Sequence, residues 1–170
     1  SNAEKIVVDT KDNIYLTGYF NHTVDFDPGD GTTNLTSYNS GSYSYNDIFY
    51  AKYNSSGELV WAHQIGGHGN FNAGSIAVDI NDNVIVSGAF EQTVDFDPGS
   101  TTLNLTSNGD RDIFIAKYDL NGVFPDMVSP TISLSSSPSQ AGVDPSSSTN
   151  SNSIFITIFG LQFSSLLFSY

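Results

Sequence analysis

The chain has 170 residues, with 18 Asp and Glu against 5 Lys and Arg, for a formal net charge of −13. That balance excludes a nucleic-acid partner, whose phosphates require clustered Lys and Arg, and it disfavours an anionic membrane surface. The absence of cysteine removes disulfides, thiolate-bound zinc, iron–sulfur clusters and thiol catalysis together, and the length is that of about one domain.

Phe and Tyr are abundant, and charged residues are only 14% of the chain, below the usual quarter. Short β-branched and aromatic runs alternate with Gly, Asn, Asp and Ser, the pattern of brief strands and tight turns. No run has the length and period of a helix. The chain reads as all-β.

Taken in order, Ser1-Asn2-Ala3 is either a tag remnant or part of the repeat, since Asn2-Ala3 aligns with Asn72-Ala73. No leader peptide is recognisable, so a secreted or cell-surface form would carry its leader outside these residues. Residues 6–29 then align without gaps on 76–99, with 14 of 24 positions identical. Residues 47–57 align on 112–122 with 7 of 11 identical, at an offset shortened from 70 to 65 by extra residues within 38–46. Two ordered blocks at nearly one spacing define an internal repeat, with copies at 6–57 and 76–122. Asp47–Tyr53 and Leu59–Ile65 flank Asn54–Gly57 as a hairpin. Ile76–Asp79 and Val84–Phe90 flank residues 80–83 as another. The spacing predicts one complete four-stranded antiparallel meander over 47–90, with Gly66–Asn70 as its central loop.

The strand DIFYAKY, the Gly turn, the Trp strand ending in Gly66-Gly67, and SIAVDINDNVIVSGAF resemble the bacterial β-propeller repeat family called SBBP. The TVDFDPG insert is similar to a version found in exported and surface proteins of Bacteroidetes-like bacteria. The resemblance covers residues 3–124. It implies propeller-type blades: the second half of one at 6–20, a whole one at 47–90, and the first half of a third from 112. That is about two blade-equivalents, in half, one, half phase. Two blades cannot close a ring, so other blades, of the same or another chain, are the expected partners: a homo-oligomer, or a fragment of a larger propeller.

The repeat region is expected to span 1–126. Residues 127–153, rich in Ser with Pro and Thr, read as a linker. Residues 154–170 form an uncharged apolar segment. That segment is open to three readings: strands covering exposed blades, a truncation artefact, or a membrane or export-related segment.

Several residues are candidates for chemistry. Asp25, Asp27, Asp95 and Asp97 in the two DFDPG loops offer oxygens for calcium, or else cap their own turns. No other cofactor is indicated. Asp47 with Lys52, and Asp112 with Lys117, suggest a blade-to-blade ion pair or a hydrogen-bonded strand start. Trp61 reads as blade packing. Tyr38, Tyr43, Tyr45 and His68 are the candidates for exposed ligand contact, because loops carry function. Neither a zinc ligand set nor a nucleophile motif is visible, so the chain is not expected to be an enzyme. The functional expectation is a non-catalytic scaffold or protein-interaction platform. The alternatives are a glycan-binding module using the Tyr-rich and TVDFDPG loops, and an accessory part of a hydrolase.

Overall fold

A computed structural model describes residues 1–38, 45–69, 71–124 and 157–158. Among them there is no helix. The chain is all-β, built of sheets of the propeller-blade type. The strands are β1 (Asn2–Val8), β2 (Ile14–Phe20), β3 (Thr23–Asp25), β4 (Asn34–Thr36), β5 (Asp47–Tyr53), β6 (Leu59–Gly67), β7 (Phe71–Val78), β8 (Val84–Phe90), β9 (Thr93–Asp95), β10 (Asn104–Thr106), β11 (Asp112–Tyr118) and β12 (Thr157–Ile158).

The first sheet has the order β1-β2-β5-β6-β9-β10, and the second β12-β11-β8-β7. Every pairing is antiparallel except β11 with β12, which is parallel. The β3–β4 hairpin forms a two-stranded sheet of its own.

The grouping of strands differs from the expected meander over 47–90. β5 and β6 belong to the first sheet, β7 and β8 to the second. The division falls between β6 and β7 rather than inside each repeat. The first blade is therefore β1-β2-β5-β6, and the second is β7-β8-β11. The physical reason lies in the faces. β7 lies against β1 and β2, where Ile76 and Phe71 join a core with Tyr15, Ile48, Tyr50 and Ile65. Edge pairing of β6 with β7 would forgo that stacking. Residues 125–153 and most of 154–170 lie outside the described residues.

The turns follow one design. The side chain of residue i accepts amides from i+2 and i+4. Asp9 takes those of Lys11 and Asn13, Asp79 those of Asn81 and Asn83, Asp119 those of Asn121 and Val123, and Asn54 those of Ser56 and Glu58. The residue at i+3 is left-handed each time: φ is 62° at Asp12, 63° at Asp82, 82° at Gly57 and 76° at Gly122. Asx turns supply the tight reversals these strands need.

Alternate residues of β5 point to opposite sides, and both sides are buried. Ile48 and Tyr50 face the second sheet. Phe49 and Ala51 form a second core with Phe20 and Phe26. A Phe triad recurs in each repeat. Phe20–Phe26 and Phe90–Phe96 meet at 5.6 and 5.3 Å, and Phe26–Phe49 and Phe96–Phe114 at 4.9 and 5.0 Å. A tyrosine closes each triad: the hydroxyls of Tyr53 and Tyr118 each donate to a Phe carbonyl, of Phe26 and Phe96, at 3.0 Å.

Three side chains of the first sheet clasp the turn after β11. Tyr50 donates to the Gly122 carbonyl at 2.8 Å, Trp61 to that of Leu120 at 3.2 Å, and His63 to that of Asn121 at 2.9 Å. The Tyr50 ring also stacks on Tyr118 at 4.7 Å.

Candidate functional site

The insertion between second and third strands of each blade is a DFDPG hairpin. In the second repeat it reaches back onto the first blade, where Asp95 and Val94 pair with Gly66 and Gly67 at the end of β6. This return leaves a groove of about 590 Å³ between the repeats. Its walls include Thr36 of β4 and Tyr38 just after it, Gln64 of β6 and His68 beyond its end, and Asp95 and Asp97 of the second DFDPG loop.

Three aromatic rings gather at this rim. Tyr38 and His68 lie 4.3 Å apart centre to centre, with Tyr45 at 6.2 Å from Tyr38 and 6.4 Å from His68. The Tyr38 hydroxyl and His68 Nε2 share a 2.5 Å hydrogen bond. The structure thus brings Tyr38, Tyr45 and His68 together; Tyr43 lies outside the described residues. Such rings offer flat faces for stacking, and their polar edges limit the cost of exposure.

Beneath the rim sits Asp47, fully buried, with Oδ2 accepting the Tyr38 amide at 2.9 Å and Oδ1 without a partner. Burial pushes its carboxyl up to about 7, against the Tyr38 and Gly67 amides that favour the charged form. Its repeat equivalent Asp112 is also buried and accepts the Asn108 amide at 2.9 Å. Each therefore holds a strand start by hydrogen bonding.

No blade-to-blade ion pair forms between Asp47 and Lys52, or between Asp112 and Lys117. A spacing of five along a strand puts the two side chains on opposite faces. Lys52 instead lies 5.1 Å above the Tyr15 ring, and Lys117 pairs with Asp79 at 2.6 Å on the turn of the neighbouring hairpin. Partial burial works to raise the Asp79 carboxyl, but Lys117 and the turn amides win and hold it well below the carboxylate range. Among the described residues, Lys11 and Asp82 form an ion pair that joins the two repeats, from turn to turn.

The four DFDPG carboxylates are engaged in their own turns. Asp25 accepts the amides of Asp27 and Thr33 at 3.0 and 2.8 Å, and Asp95 those of Asp97 and Leu103 at the same distances. Asp27 and Asp97 accept those of Gly29 and Gly99 at 2.8 and 2.7 Å. Among the described residues, no group of three or more His, Asp or Glu is placed to hold a metal ion. Asp25 and Asp27 line a smaller hollow of about 310 Å³ beside Ser1–Ala3.

Sequence reasoning missed Gln64, Thr93 and Asn104 as groove residues. The one available signal was the Gly66-Gly67 pair: glycines within a strand mark close backbone approach. A Cβ at Gly67 would lie 2.6 Å from the Thr93 carbonyl oxygen, at a φ of 152°.

An uncharacterised WD repeat-containing protein of Acanthamoeba polyphaga mimivirus is 32% identical over 117 residues, 66% of this chain. The chain spans about 8% of the length of that protein. This similarity agrees with a β-propeller-type repeat. No family model matches the chain, and no solved structure does.

Proposed function

We propose that this chain is a non-catalytic blade-repeat module of the SBBP-like type, from an exported or surface bacterial protein, serving as a scaffold and protein-interaction platform. One observation carries the reading: the side chains that build turns, strand starts and Phe triads recur between the repeats, while Tyr38, Tyr45, Gln64 and His68, which do not recur, gather at the groove and its rim. Asp9 and Asp79 build turns, Asp47 and Asp112 hold strand starts, Tyr53 and Tyr118 close the Phe triads. Tyr38, Tyr45, Gln64 and His68 remain to meet a partner. A repeat protein differentiates through such residues, since the repeated ones are tied to packing.

Among the described residues, the groove carries Asp95 and Asp97 and no Lys or Arg, so a cationic peptide segment suits it. A neutral saccharide is the second reading, favoured by the Tyr38–His68–Tyr45 rings beside carboxylates and amides. Titrating the ¹⁵N-labelled chain with octalysine and, separately, with chito- and cello-oligosaccharides tests both. The peptide is expected to shift the amides of Tyr38, His68 and Asn104, with salt weakening the effect. Saccharide-induced shifts that vanish in Tyr38→Ala would transfer the assignment to glycan binding. Silence with both probes would overturn the groove as a binding site.

A further inference from the structure

The two outward faces of the stack carry the side chains that the joint between its sheets buries. The repeat makes the comparison position by position. On the outer side of the first sheet, Ile6 is 64% exposed, while its equivalent Ile76, at the joint, is 6%. Val8 is exposed, and Leu16, Val24 and Tyr53 are half-buried; Val86, Val94 and Tyr118, the equivalents of the last three, are fully buried. On the outer side of the second sheet, Ile113 and Ile115 are 52% and 41% exposed, whereas their equivalents Ile48 and Tyr50 are completely covered.

The strand registers show that each set shares one face. Ile6 lies opposite Leu16, which lies opposite Ala51. Ile113 lies opposite Ala89, and Ile115 opposite Ser87, on the side away from Phe114. The joint is heterologous: the Ile48/Tyr50 face of the first sheet meets the Ile76/Val86 face of the second. Among the described residues, what remains open is one face of each kind, at opposite ends of the stack.

We propose that a second copy of this chain covers these ends, head to tail, with Ile113 and Ile115 of one copy against Ile6, Val8 and Leu16 of the next. The internal joint shows which chemistry each face accepts. A heterologous contact of this kind continues into a closed ring or an open filament. The joint between copies differs from the internal one in its polar part. Ile115 stands where Tyr50 donates its hydroxyl, and among the described residues no strand after β11 supplies equivalents of Trp61 and His63. Self-association is therefore apolar and concentration-dependent. It is independent of the groove, and of whatever the groove binds.

Sedimentation velocity from about 1 to about 200 µM tests this, a range covering micromolar self-affinity. The average mass is expected to rise with concentration. The doubles Ile113→Lys/Ile115→Lys and Ile6→Lys/Val8→Lys are each expected to stay monomeric. Mixed in equal amounts, they should form a dimer and stop there, because one intact face of each kind remains. A chain monomeric throughout, doubles that still associate alone, or a mixture that stays monomeric would each overturn the proposal. All four side chains are exposed; should a Lys double lose its near-ultraviolet circular dichroism, the corresponding Thr double takes its place with the same expected outcomes.

Discussion

Replacing Asp47 by Asn removes a buried charge without removing the acceptor that holds the Tyr38 amide. Burial raises the Asp47 carboxyl to about 7 from an ordinary 3.8. The folded state then binds more protons than the unfolded one between about pH 4 and 7, so stability from this group is complete below that window and is lost as pH rises through it. At roughly 1.4 kcal/mol per pH unit, the gap sets a ceiling of about 4 kcal/mol. Bonds from the Tyr38 and Gly67 amides persist in the charged form, so a realised loss of about 1–3 kcal/mol is expected. Urea unfolding of both chains at about pH 5 and pH 7.5 reads it. The wild type should fall relative to Asp47→Asn as pH rises, leaving the variant the more stable at the higher pH. Comparison with the variant matters because burial lowers His63, and a depressed histidine changes stability in the opposite direction over part of the same range. Parallel pH dependences for the two chains would refute the reasoning.

Three further outcomes follow from the repeat geometry. Tyr118→Phe should cost about 1–2 kcal/mol in chemical unfolding by leaving the Phe96 carbonyl unpaired, and Tyr53→Phe less, because Tyr53 is only half-buried. Ile48→Ala should cost about 2–4 kcal/mol and its repeat equivalent Ile113→Ala under about 0.5 kcal/mol in the monomer, since only the first is enclosed; equal costs would mean that the two sheets do not stack as described. Excess calcium should leave the melting temperature unchanged, because the carboxylates of Asp25, Asp27, Asp95 and Asp97 already accept turn amides; a rise of several degrees would show that those turns reorganise around the ion.

Much of the fold was legible in the chain itself. The offset between IVVD and IAVD, the Asx turns at Asp9 and Asp79, and the flanking apolar runs placed β2, β5, β6, β8 and β11 to within a residue or two, while β1 and β7 begin four and five residues before the expected Ile6 and Ile76. What escaped was which run lies beside which. The Gly66–Asn70 stretch has the composition of a hairpin loop, yet Gly66 and Gly67 end β6, and β7 that follows belongs to the other sheet. Periodicity reports which side of a strand is apolar, not whether its neighbour is bonded at the edge or stacked on the face. β5 is apolar on both sides and so was compatible with either. β9 and β10, three residues each, are too short to leave a pattern. At the groove, the loop origin of Tyr38, Tyr45 and His68 was readable. Their meeting was not, because it joins residues thirty positions apart, one following β4 and the other β6. The opposite-face placement of Asp47 and Lys52 was available from strand spacing alone.

The return of the β9–β10 hairpin onto Gly66 and Gly67 puts the duplicated unit and the cooperative unit out of step. Cutting the chain between the repeats would not release two finished modules, because the first would lose the hydrogen bonds closing its outer strand. A protease nick in the residues 97–102 should therefore loosen not only β9 and β10 beside the cut but also the end of β6, some thirty positions upstream.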